Sequence, residues 1–172
     1  MIAKEKIIER IVRVDQAGEV GAQRIYSGQK MIFNLLNNKK EYKAFSKMAQ
    51  EEQEHLDYFN DLANKKNIKS TKLAPIFDIG AYLIGVGTAL MGPKAAYACT
   101  EAVEEVIEGH YQNQIDQLEG VDKEVQLKLK KFQADEANHK NKGIKNGENQ
   151  FPILKRLINK TTEAAIFLAE RT

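Results

Sequence analysis

The sequence predicts an all-α protein: a four-helix bundle of two duplicated hairpins, with an apolar crossover insertion between them and a C-terminal helix. Three observations lead there. Apolar residues recur at helical spacing along nearly the whole chain, strand-like alternation is absent, and the second half repeats a pattern of the first. The 172 residues are enough to bury a sizeable core. No Gly/Ser linker or low-complexity tail marks a boundary, so the reading is a single domain over residues 1–172.

Period and punctuation set the elements. A first helix runs from about Lys4 to Asn37 and stops at "NNKK"; a second runs from about Glu41 to Lys66 and gives way to the polar "NIKST". Helices at about Pro93–Glu119, Val121–Asn146 and Pro152–Arg171 follow, with Pro93 and Pro152 suited to first-turn positions. Between the halves, at about residues 75–92, lies an insertion whose stretch "IGAYLIGVGTALMG" has no charge. It is too short to span a bilayer. It is either a buried crossover or a membrane-surface segment, and its four glycines, which would weaken a simple crossover helix, favour the membrane surface.

Composition excludes several classes. With 26 basic and 24 acidic residues the net charge is +2, no argument for a nucleic-acid partner. The lone Cys99 rules out an intrachain disulfide and a cysteine-ligated iron–sulfur cluster. The opening "MIAKEKIIERIV" is amphipathic and lacks an apolar signal core, so no export is expected.

The repeat carries the chemistry. "EVGAQRIYSGQ" from Glu19 aligns with "EEVIEGHYQNQ" from Glu104, matching Glu19, Tyr26 and Gln29 to Glu104, Tyr111 and Gln114. One helix further on, "KMAQEEQEH" aligns with "KFQADEANH", matching Glu52-x-x-His55 to Glu136-x-x-His139. Each hairpin thus carries a Glu and then a Glu-x-x-His, whose members share one helix face. A Glu from each of two helices and a Glu-x-x-His from each of two others is the ligand set of ferritin-like di-iron and di-manganese bundles. Two nearby dications repel, and four carboxylates neutralise them so that the cluster can be buried. The helical stripes separate these acids from ordinary surface ones. Glu104 is in line with Ile107, Tyr111, Ile115 and Leu118, whereas Glu105 follows the polar stripe of Glu101, Glu108 and Gln112. Glu52 shares a face with Phe45, Met48, Leu56 and Phe59, and Glu136 with Leu129 and Phe132.

Around these six candidate metal ligands stand three further candidates for catalysis. Tyr26 and Tyr111 lie two turns beyond Glu19 and Glu104, as core aromatics or as phenols able to relay an electron and a proton. His110 is read as a neighbour of the ligand shell or as outward-facing. Asp15, one turn before Glu19, could orient a ligand histidine, and is as readily a surface acid. Gly18 and Gly21 beside Glu19 either let helices approach closely or leave a channel for a substrate or oxygen.

The stretches "VDQAGEVGAQRIYSGQ", "EEQEHL", "GTALMGPKAAYACTEAVEEVIEGHYQNQI", "DEANH" and "AAIFLAERT" resemble the demethoxyubiquinone hydroxylases of ubiquinone biosynthesis. The resemblance covers nearly the whole chain. It implies two iron ions per chain, one held by Glu19 and His55, the other by Glu104 and His139, with Glu52 and Glu136 bridging. It implies hydroxylation of a prenylated methoxy-methyl-benzoquinol with O₂, at the membrane that holds the polyprenyl tail. That membrane would be the bacterial inner membrane on its cytoplasmic face, or the mitochondrial inner membrane on its matrix side. A biosynthetic complex or a lipid-presenting partner is compatible with this. Many members have histidine where this chain has Gln16, and aspartate where it has Asn141; neither is a ligand position. Two rival readings remain: a ferroxidase or peroxidase on the same bundle, and a metal-free membrane-surface scaffold.

Overall fold

Capping side chains and close helix contacts shape the chain. The computed structural model describes residues 2–148 and 150–172, so Met1 and Asn149 of the expected 1–172 domain lie outside the described residues. It contains α1 (Ile2–Leu35), α2 (Lys39–Lys66), α3 (Ala74–Leu90), α4 (Pro93–Gln117), α5 (Lys123–Gly147) and α6 (Pro152–Ala169), with no strand among the described residues. The expected boundaries shift where caps intervene. Asn38 accepts a hydrogen bond from the Glu41 amide, which starts α2 at Lys39. Asp122 accepts from the Val125 amide and delays α5 to Lys123. α1 ends early, two residues before Asn37 takes a left-handed φ of 55°. Pro93 and Pro152 both occupy first-turn positions.

The duplication extends further than two hairpins. α1 packs along α2 and α3, and α4 packs along α5 and α6. The apolar insertion and the C-terminal helix therefore take corresponding places, each laid on the first helix of its half. Lys155 of α6 pairs with Glu101, which buries an acid that the sequence places on a solvated stripe.

Two apolar groups make up most of the core. One holds Ile11, Val12, Phe59, Tyr111, Leu118, Leu129 and Phe132; the other holds Tyr26, Phe33, Phe45, Met48 and Tyr97. Burying each large side chain contributes about 1.5–3 kcal/mol. Along α1, α2 and α4 the candidate ligands fall between these two groups, so packed side chains hold the polar centre from both ends.

α3 answers the question its glycines pose. A Cβ on Gly28 of α1 would stand 2.5 Å from the Tyr82 carbonyl oxygen, and one on Gly85 would run into the Ile25 carbonyl. These two glycines let α3 lie directly on the α1 backbone. Arg24 and Asp78 add an ion pair between the two helices. The opposite side of α3 leaves Ile76, Ile79 and Leu83 exposed at 66%, 63% and 60%. The insertion is thus a packed crossover on one face and an uncovered apolar surface on the other. Among the described residues no helix is long and apolar enough to cross a membrane.

Gly85→Ala should lower stability by about 1–3 kcal/mol, because the backbone of α1 must move to admit the methyl group. Gly87→Ala, which meets open space, should be neutral or stabilising by up to about 1 kcal/mol. Thermal unfolding followed by circular dichroism distinguishes them; equal effects would contradict the close contact.

Candidate metal centre

All six candidate ligands converge, and none is more than 4% exposed. Ligand atoms of Glu19, Glu52, His55 and Glu136 lie within 4.8 Å of one another, as do those of Glu52, Glu104, Glu136 and His139. Glu52 and Glu136 belong to both groups, one from each Glu-x-x-His helix. His55 Nδ1 stands 3.0 Å from Glu136, 3.4 Å from Glu52 and 3.7 Å from Glu19. His139 Nδ1 stands 2.8 Å from Glu52 and 3.4 Å from Glu136. Despite this closeness, both Nδ1 atoms, both oxygens of Glu52 and of Glu136, and Oε2 of Glu104 have no hydrogen-bond partner. Buried polar atoms without partners are costly. Nitrogens and oxygens facing one centre fit divalent cations, and the mix of carboxylate and imidazole suits iron or manganese.

The protonation equilibria express the same crowding. Burial, followed by repulsion from Glu136 and Glu52, pushes the Glu104 pKa well up, and burial does the same to Glu19. Burial would raise Glu52 too, but His139 and His55 beside it hold it down at about 2. Burial disfavours charge on His139, yet Glu136 and Glu52 outweigh it and raise its pKa to about 11; His55 moves the same way.

The halves brace each other crosswise. Tyr26 of the first half donates to Glu104 of the second at 2.8 Å, and Tyr111 of the second donates to Glu19 of the first at 2.5 Å. Burial and the adjacent carboxylates raise both phenol pKa values, which keeps these hydroxyls protonated donors. Glu51 of α2 reaches His139 Nε2 at 2.8 Å, and Asp135 of α5 reaches His55 Nε2 at 3.4 Å. This orienting role is the one considered for Asp15. Asp15 instead accepts from Gln114 at 2.7 Å, and burial raises its pKa. Glu51 and Asp135 did have a sequence signature: an acid directly precedes the glutamate of each Glu-x-x-His. Gln16 turns away to Asn60 and Ser70, and Asn141 is exposed on the α2–α5 side, so both departures lie off the cluster.

Among the described residues, a groove and a cavity reach this centre. A polar groove of about 790 Å³ between α2 and α5 includes His55, His139, Glu51 and Asp135. On another side, a cavity of about 340 Å³ runs between α1, α3, α4 and α6, from the buried Asp15, Glu19 and Tyr111 to the exposed Ile76 and Leu168. Its walls are largely apolar, and Gly18, Gly21 and Gly80 line it. A Cβ on Gly18 or Gly21 would meet nothing within 4 Å. These glycines therefore keep a passage open and are not there for helix packing. In the repeat alignment their counterparts beside Glu104 are Val103 and Val106, so the duplicated halves differ where the cavity meets the cluster. His110 lies on the α4 wall of this cavity, hydrogen-bonded to Gln114 and to none of the six ligands.

A family profile described as ubiquinone biosynthesis protein COQ7 matches residues 6–169. The chain belongs to the COQ7 family. Among its relatives, a Dictyostelium discoideum protein named NADPH-dependent 3-demethoxyubiquinone 3-hydroxylase, mitochondrial, is 42% identical over 98% of this chain and 79% of its own length. A Caenorhabditis elegans protein of the same name is 39% identical, covering 98% and 92%. A 3-demethoxyubiquinol 3-hydroxylase of Rhodospirillum rubrum is 38% identical, covering 96% and 78%. In this COQ7-family chain, Glu104 is buried while Glu105 is exposed and accepts from Asn159, as the two stripes require.

Glu104→Ala should lower the bound divalent metal, measured by elemental analysis, whereas Glu105→Ala should leave it unchanged; equal losses would mean that the ligand face is wrong. Removing the imidazole partners by Glu51→Ala or Asp135→Ala should weaken metal affinity about 10–100-fold without changing the metal count at saturation. Competition with a chelator of known affinity measures the difference.

Proposed function

We propose that this chain is a membrane-associated di-iron monooxygenase on a ferritin-like bundle, hydroxylating a demethoxyubiquinol in ubiquinone biosynthesis with O₂. The observation that carries the reading is the apolar cavity that ends on Glu19, within the cluster of four glutamates and two histidines. Glu19 and His55 would hold one iron, Glu104 and His139 the other, with Glu52 and Glu136 bridging. When bound, the iron pair supplies the activation of dioxygen.

The protein's own part is binding, orientation and exclusion of water. An apolar passage of about 340 Å³ falls within the ~300–1,000 Å³ usual for small-molecule sites. It suits an aromatic ring at its inner end and a polyprenyl tail leaving between α3 and α6. At the outer end Ile76 of α3 and Leu168 of α6 are exposed, and the same two helices also expose Ile79, Leu83, Leu157 and Phe167, apolar surface of the kind that meets a bilayer. A peripheral position would let the tail remain in lipid while the ring reaches Glu19. In the balanced reaction one oxygen atom ends as the ring hydroxyl and the other as water. Two electrons are needed, and the names of the Dictyostelium and C. elegans relatives point to NADPH as their source.

Anaerobically reduced protein should contain about two irons per chain with the Mössbauer parameters of a coupled pair, and should hydroxylate a demethoxyubiquinol on addition of O₂. No iron, or a single isolated site, would overturn the reading. Gly21→Val should keep the iron and the fold but lower kcat/KM roughly ten- to hundredfold, because its methyl groups enter the passage. Full activity in that variant would mean that substrate does not use this cavity.

A further inference from the structure

The cavity has few polar side chains, and most of them are already engaged. Tyr111 donates to Glu19, and the Thr161 hydroxyl donates to the Leu157 carbonyl. Among the described lining residues His110 is the only side-chain nitrogen donor, and Thr162 on α6 adds a half-buried hydroxyl. Its Nε2 lies 2.8 Å from the amide nitrogen of Gln114, and the same nitrogen lies 2.7 Å from Asp15 Oδ1. An amide NH₂ group has two hydrogens and accepts nothing. Giving one to Asp15 and one to His110 uses both, so His110 Nε2 is the acceptor and the ring proton sits on Nδ1. The opposite orientation of Gln114 would bury an NH₂ group with no partner, in place of the single unpartnered oxygen found here. Asp15 Oδ1 can accept this bond whether or not Oδ2 carries a proton. Burial, helped by Arg10 and opposed by Glu170, holds the His110 pKa below the ordinary histidine value, which keeps the ring neutral. No described side chain bonds His110 Nδ1.

We propose that His110 Nδ1–H binds a carbonyl or phenolic oxygen of the substrate ring in the cavity, with Gln114 and Asp15 as positioning residues that fix its tautomer. The assignment rests on the hydroxylase reading and deepens it. In a passage whose other walls are mostly apolar or glycine, a neutral imidazole donor fixed on the α4 wall decides which ring edge faces Glu19. It therefore bears on which ring carbon receives the hydroxyl. The donor serves both oxidation states, because quinone carbonyls and quinol hydroxyl oxygens all accept.

The test uses iron-loaded, oxidised full-length protein and a demethoxyubiquinone with a short prenyl tail, carbonyl-labelled for infrared difference spectroscopy. The parent protein should lower the stretching frequency of one bound carbonyl. His110→Leu should abolish that shift and reduce kcat/KM roughly tenfold, with iron content unchanged. Asparagine places its NH₂ group near the Nδ1 position and glutamine near Nε2, so His110→Asn should restore both the shift and the activity while His110→Gln should not. A parent that binds the quinone without a shifted carbonyl, a shift that survives in His110→Leu, or equal rescue by both amides would overturn the assignment while leaving the hydroxylase reading intact. A parent that neither binds nor hydroxylates the quinone would bring down the reading and the assignment together.

Discussion

The burial of four carboxylates and two imidazoles around one centre is the constraint on which the rest of this molecule depends. No single helix could hold such a group, since each acid alone would be costly to desolvate and would protonate. The structure spreads it over α1, α2, α4 and α5 and packs an aromatic-rich core at either end. Phe132 lies against the His55 ring with centroids 4.0 Å apart, so apolar packing also sets the orientation of a polar group. The crossed hydrogen bonds of Tyr26 and Tyr111, and the crossed pairs made by Glu51 and Asp135, tie each half of the duplication to the other half's glutamate and histidine. Neither half could fix this geometry by itself.

Duplication supplies the symmetry of the cluster, and small departures from it supply direction. Glu19 and Glu104 are equivalent in sequence, yet glycines flank the first and valines the second. That difference of a few methyl groups gives the apolar passage access to Glu19. α3 and α6 occupy corresponding places and wall the same passage, and both carry exposed aliphatic residues. The polar groove over the two histidines lies between α2 and α5, separate from these walls. The centre therefore has an apolar approach and a polar one.

Much of this was legible in the chain, because the informative residues lie on long, strongly periodic helices. The repeat of Glu and Glu-x-x-His placed six side chains on inward faces, and those faces meet in space. Boundaries were less legible. Asn38 and Asp122 start helices through side-chain bonds whose effect on the boundary depends on a backbone conformation that periodicity does not report. Glu101 reads as a surface acid, because nothing in α4 announces that Lys155 of a later helix covers it.

By itself the sequence determined the helical class, the duplication and the six inward-facing candidate ligands, since each depends on residue type and spacing within one or two helices. It left open what the glycines do, and only the tertiary structure decided that. Gly28 and Gly85 serve close contact between helices, while Gly18 and Gly21 keep a cavity open. The same lack of a side chain has opposite uses, and what separates them is the position of a second helix, which local spacing does not encode. The partners of Asp15, His55 and His139 were likewise settled by helices distant in the chain, because a hydrogen bond depends on distance and angle between groups that only packing brings together.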